Sequence, residues 1–210
     1  KGFDIWTKEV SKDPSFKSFY DKNEKDIYFT TKDYCLGYSE KLGQFTSFYD
    51  YTDVETMFNI GTGFYSIKEN SVGVQSIYQH SVGNYNEFYG EIKPYHLTII
   101  SNEDPQVDKV FTNLDYRADF FDSNNNYLEN ESFDTLEVWN EYQYGITNLT
   151  KGRTYPNFER KFRIWRADIP RDKSNGRDRI RNPWIYLKLN NTDNNNAKMV
   201  FHSFLVKYYK

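Results

Sequence analysis

The sequence predicts an all-β protein, and three observations carry that reading. Aromatic rings recur at alternating positions, as in Phe45-Thr46-Ser47-Phe48-Tyr49-Asp50-Tyr51, Arg163-Ile164-Trp165 and Trp184-Ile185-Tyr186-Leu187-Lys188-Leu189. Such rings fit a pleated, half-buried surface and bury a large apolar area each. Turn signals punctuate the first half at roughly 8–12-residue spacing, the rhythm of short antiparallel strands. Asn-rich segments, 122–126 and 190–196, separate longer runs in the second half, and Asn accepts the left-handed backbone of loop tips. Together these predict an antiparallel meander over residues 1–93, of propeller-like blades or a small sheet, followed by a β-sandwich or jelly-roll-like domain over residues 94–210.

Residues 1–23 mix Phe16, Phe19 and Tyr20 with Lys and Asp without a firm period. Asp13 ahead of Pro14 predicts a short capped helix over 14–20. Strands are expected at 26–31, 33–39, 44–51, 57–60, 64–68, 74–80 and 87–92, divided by Leu42-Gly43, Gly61-Thr62-Gly63, Glu69-Asn70-Ser71 and Val82-Gly83-Asn84. After Pro94 they lengthen to 95–101, 110–121, 135–144, 159–169, 183–190 and 198–209. Asp115, Arg117 and Asp119 alternate with Leu114, Tyr116, Ala118 and Phe120, which predicts one face on a core and one face wet. Alternation falters among Val200, Phe201, Phe204 and Val206, predicting a bulge near His202-Ser203.

Composition narrows the function classes. With 38% hydrophobic and 19% aromatic residues, the chain carries apolar anchors that a disordered polymer lacks. No run approaches the ~18 apolar residues of a membrane-spanning helix. The chain opens on Lys1 without a signal-like segment, and reads as a piece of a longer protein. The single Cys35 excludes an intrachain disulfide and, between Tyr34 and Leu36, reads as a buried inert thiol.

The expected sites are few. His80, His96 and His202 lack metal-ligand spacing and read as structural histidines. Asp122-x-Asn124-x-Asn126 begins like a calcium loop, but Tyr127 replaces the glycine and Phe133 the final glutamate; a solvated hairpin tip is expected. No acid pair is singled out for glycoside hydrolysis. The reading is therefore no enzyme, no cofactor and no metal.

One stretch stands out. All nine Arg follow position 116, and residues 151–188 hold twelve basic against four acidic residues. Arg forks match carboxylates and phosphates. Arg153, Arg163, Trp165, Arg166, Arg171, Arg177, Arg179, Arg181 and Trp184 are the candidate interface, for protein docking first, with a solvated surface or nucleic-acid contact as alternatives. A carbohydrate-binding module is the runner-up function, with Trp139, Trp165 and Trp184 to stack on sugars.

Glu40-Lys41-Leu42-Gly43-Gln44-Phe45-Thr46-Ser47-Phe48-Tyr49-Asp50-Tyr51 resembles an E-K-L-x-x-F-T-S-F-Y-x-Y segment of the tail muzzle or stabilisation proteins of crAss-like phages, short-tailed viruses of gut Bacteroidales. Asn59-Ile60-Gly61-Thr62-Gly63-Phe64-Tyr65, Tyr85-Asn86-Glu87-Phe88-Tyr89-Gly90, Leu136-Glu137-Val138-Trp139-Asn140-Glu141-Tyr142 and Phe162-Arg163-Ile164-Trp165-Arg166-Ala167-Asp168-Ile169-Pro170-Arg171 are similar to the same group. The resemblance spans nearly the whole chain, as the C-terminal part of a longer, nozzle-like protein built from β-propeller and β-sandwich modules. It implies a structural virion protein in the phage tail, present in the host cytoplasm during assembly. It further implies docking on other tail or adaptor proteins, a homo-oligomeric ring in the full-length protein, and transient passage of genomic DNA through the exit channel it surrounds.

Overall fold

The computed structural model describes residues 7–70, 72–149, 158–174, 178–192 and 197–210. Among them the fold is all-β, with one helical turn at 7–10, and every strand pairing is antiparallel. Contacts divide the chain into two compact units, Lys1–Gly83 with Phe88–Glu91, and Asn84–Glu87 with Ile92–Lys210.

In the first unit, β1 (Lys17–Asp21), β2 (Asp26–Thr30), β3 (Cys35–Ser39) and β4 (Gln44–Phe48) form one meander. The strands β5 (Thr56–Ile60), β6 (Gly63–Glu69) and β7 (Gln75–Gln79) form another. The helix expected over 14–20 is replaced by β1. Asp13 Oδ1 accepts hydrogen bonds from the Ser15 amide at 2.8 Å and the Ser15 hydroxyl at 2.6 Å, closing a turn there. Lys17–Asp21 then gains a five-residue ladder with β2, and Phe16 stacks on Phe29 at 6.3 Å. That cross-strand pairing outweighs the weak helix tendency of a segment lacking an apolar stripe.

The core of this unit is aromatic. Tyr28 meets Tyr49 and Tyr51 edge-on, both at 5.3 Å, within the favoured range for ring pairs. The strand expected over 44–51 ends at Phe48, which frees Tyr49 and Tyr51 to turn inward. The Tyr49 ring lies so close to Gly37 that a Cβ there would sit 2.5 Å from its Cε2. Cys35 is fully buried, and burial pushes its thiol up to about 12. Where one strand over 87–92 was expected, the chain folds instead into the hairpin β8 (Glu87–Phe88) and β9 (Glu91–Ile92). Tyr89 and Gly90 make its turn, with φ of 56° and 80°.

The second unit holds β10 (Tyr95–Ser101), β11 (Lys109–Phe121), β12 (Thr135–Trp139), β13 (Tyr144–Asn148), β14 (Phe158–Lys161), β15 (Ile164–Asp168), β16 (Arg181–Asn182), β17 (Ile185–Asn191) and β18 (Lys198–Tyr209). One sheet runs β10-β17-β12-β13. The other runs β14-β15-β11-β16, with β18 also paired to β11. Leu114, Tyr116, Phe120, Trp165 and Ala167 of the second sheet share one buried cluster with Leu136, Val138, Ile185, Leu187 and Leu189 of the first. Phe133 joins it, its ring 5.7 Å from Tyr116 and 5.9 Å from Phe120.

Two segments expected as single strands, 135–144 and 159–169, fold as hairpins. In the first, Asn140 Oδ1 accepts from the amides of Tyr142 and Gln143 at 2.8 and 2.9 Å and reverses the chain. In the second, Phe162 and Arg163 both take left-handed backbone, φ 51° and 66°. A two-residue turn of that hand matches the twist of the strands it joins. Its usual Asn-Gly marker is missing, so nothing local announces it. The bulge expected near His202 is present: Arg117 pairs with Ser203 and Ala118 with Phe201, leaving His202 as the extra residue.

Candidate interaction surface

The outward row of β11 was expected to be wet. Instead Asp115 and Asp119 are buried, Asp115 beneath Arg166 and Lys207 and Asp119 beneath Arg163 and His202. Asp115 pairs directly across the sheet with Arg166, whose Nε donates to Oδ1 at 2.9 Å and Nη2 to Oδ2 at 3.2 Å. Lys207 Nζ donates to the same Oδ2 at 2.6 Å, and Arg166 Nη1 reaches Glu159 at 3.4 Å. Acid and base therefore alternate from β14 through β15 and β11 to β18. Asp119 Oδ2 takes Arg163 Nη2 at 2.9 Å and His202 Nε2 at 2.8 Å, the latter delivered by the bulge. Burial pushes both carboxyls up, but the hydrogen bonds and charges of these partners outweigh it and hold them below the ordinary carboxylate value.

The candidate interface residues separate in space. Arg153 and Arg177 lie outside the described residues. Arg163 and Arg166 belong to the charged face just described. Trp165, expected on a surface, is a correction: only 5% exposed, it stacks on Phe158 at 5.0 Å with the Arg160 guanidinium 5.4 Å from its ring. The turn at Phe162-Arg163 breaks the run into paired strands, and the register sets Trp165 across from Arg160 on the core side.

Arg171, Arg179 and Arg181 are exposed. Their segment is tied to the β12–β13 turn. Gln143 Nε2 donates to the Arg179 carbonyl at 3.1 Å, its Oε1 accepts from the Arg181 amide at 2.7 Å, and Asn140 Nδ2 donates to the Arg181 carbonyl at 3.2 Å. Asp172 Oδ1 accepts from the Tyr144 amide at 3.3 Å. Trp184 is half-buried and meets Tyr186 edge-on at 5.2 Å, and Tyr186 stacks on Trp139 at 5.1 Å. Sequence reasoning missed Asn140, Gln143 and Tyr186. The signal for the first two was a polar break, Asn140-Glu141-Tyr142-Gln143, after the apolar run of β12.

His80 packs among Tyr51, Phe64 and Tyr89 with Nε2 2.9 Å from Ser66 Oγ; His96 is exposed. Among the described residues no three His, Cys, Asp or Glu side chains gather to hold a metal ion. The Asp122 carboxylate caps its own loop, accepting from the Asn124 and Asn126 amides at 2.9 and 2.8 Å.

Sheets with ring-packed cores and cross-strand ion pairs define an all-β module. The Crassvirus muzzle protein family matches residues 1–70, and its C-terminal domain family matches residues 83–172. Over 196 residues, 93% of this chain, the sequence is 46% identical to a muzzle protein of Bacteroides phage crAss001. The chain belongs to the muzzle protein family of crAss-like phages. It spans 14% of the length of that relative.

Proposed function

We propose that the chain is a structural part of a phage virion, contributing to the tail nozzle or muzzle around the DNA exit channel and docking on tail or adaptor proteins rather than catalysing a reaction. The observation that carries this is the 46% identity to a muzzle protein along nearly the whole chain. The geometry fits the role: rings and ion pairs hold the sheets, Arg171, Arg179 and Arg181 are exposed, and Asn140 and Gln143 hold the backbone of the last two. Arg and Trp are side chains that concentrate binding energy at interfaces, so this segment with Trp184 is the docking surface for an acidic neighbour. The parent protein assembles as a homo-oligomeric ring in the virion, after synthesis in the host cytoplasm, and genomic DNA passes through it without sequence-specific contact. Residues 1–93 and 94–210 act as separate domains.

Cross-linking mass spectrometry on purified virions tests the reading. Lys173, beside Arg171, is expected to link to a different tail or adaptor protein, and reversal of Arg171, Arg179 and Arg181 to Glu in the parent protein is expected to remove that link. Absence of the parent protein from purified virions would refute the structural role.

A further inference from the structure

We propose that the outer face of the β10-β17-β12-β13 sheet is a binding site for a neutral polysaccharide chain, centred on Tyr142, Trp139 and Tyr144. An open groove of about 710 Å³ lies here, lined by these three rings together with Glu137, Lys188 and Asp172 among others. The ladder builds it in rows. Trp139 faces Tyr144 on one side and Tyr186 on the other, and Glu137 faces Lys188 in the next row. Thr135 and Asn190 form the row after that.

The arrangement suits a sugar. A pyranose has an apolar C–H face and a rim of hydroxyls, so it needs a flat ring beside fixed acceptors and donors. Trp139 has one neighbour stacked against it, Tyr186 at an interplanar angle of 17°, and lines the groove as well. Glu137 is already oriented, accepting from Asn190 Nδ2 at 2.7 Å and from the Tyr144 hydroxyl at 3.3 Å; a carboxylate retains acceptor sites beyond these two. Tyr142 is 81% exposed, although its backbone is locked by Asn140. A large ring held in water on a rigid turn is poised to bury area on binding with little ordering entropy. The lining carries Glu137, Glu141 and Asp172 against Lys173 and Lys188, a balance that disfavours a polyanion such as nucleic acid. The groove is open to solvent, which leaves room for an extended chain. The inference goes beyond the virion reading, and its test turns on the Trp139 and Tyr142 rings, which that reading does not use.

Affinity electrophoresis of the 210-residue chain in native gels containing mannan, xylan, mixed-linkage β-glucan or dextran, with a printed array of neutral glycans alongside, tests it. Retardation is expected in at least one gel, weakened at least tenfold by Tyr142→Ala and by Trp139→Ala, and unchanged by Tyr209→Ala on β18. Circular dichroism is expected to show Tyr142→Ala folded like the parent, so loss there reports binding. The proposal is overturned by free migration in all four gels with a blank array, or by retardation that both ring variants retain. Capture of a protein through these rings with no glycan bound overturns it equally.

Discussion

Arg166 and Asp115 face each other as a direct cross-strand pair of β15 and β11, and the guanidinium fork meets both carboxylate oxygens, at 2.9 and 3.2 Å. Such bidentate pairs are among the stronger charge-assisted contacts. Here the acid is nearly covered and Lys207 shares it.

Asp115→Ala leaves two cations facing each other without their shared acid. We expect a loss of about 1–3 kcal/mol, read as a lower urea midpoint. The sign with pH follows from the depressed carboxyl: its contribution is full above the unfolded carboxylate value near 4 and is lost as pH falls through the lower folded value. The variant is expected to show a flatter acid limb; an identical limb would remove Asp115 from the account.

His80 gives the first unit an opposite kind of group with the same sign. Burial among Tyr51, Phe64 and Tyr89 lowers it from 6.5 to about 4. The neutral form is favoured when folded, so its contribution is complete above pH 6.5 and declines as pH falls toward 4. A carbon-detected NMR titration is expected to show the ring still neutral at pH 5.5. A midpoint near 6.5 would contradict the burial argument.

Two tryptophans of one basic stretch should behave differently. Trp165→Ala empties a ring-sized volume beside Phe158 and is expected to remove about 3–5 kcal/mol. Trp184→Ala, half-buried at the sheet face, is expected to cost well under half of that. Equal thermal shifts for the two would mean that the burial assignment is wrong.

Gly145 on β13 tolerates no side chain. A Cβ there would lie 2.7 Å from the Arg171 carbonyl oxygen and 3.1 Å from the Pro170 ring, and that neighbour is backbone. Gly145→Ala is expected to destabilise by about 1–3 kcal/mol and to displace the Arg171 segment from β13. A melting temperature equal to the parent's would show that the segment yields freely.

Much of the strand pattern was legible locally. Tyr95–Ser101 follows its run of alternating side chains, and the faltering period at His202 marked the bulge, because side-chain alternation is a property of the single strand. The turns were less so. Asn140 reverses the chain through one side-chain oxygen in an otherwise strand-like run, and Phe162-Arg163 adopts left-handed backbone without glycine or asparagine. β1 resembles a short helix in its own residues because its pairing with β2 is invisible there.

The sequence by itself determined that this is an all-β chain, where many of its strands fall, and which side of β11 is apolar, since each follows from period and ring content within a few residues. Only the tertiary structure decided which charges meet. Arg166 lies 51 residues from Asp115, and His202 lies 83 from Asp119. Strand order and register set those encounters, and both depend on long-range pairing that no local pattern encodes.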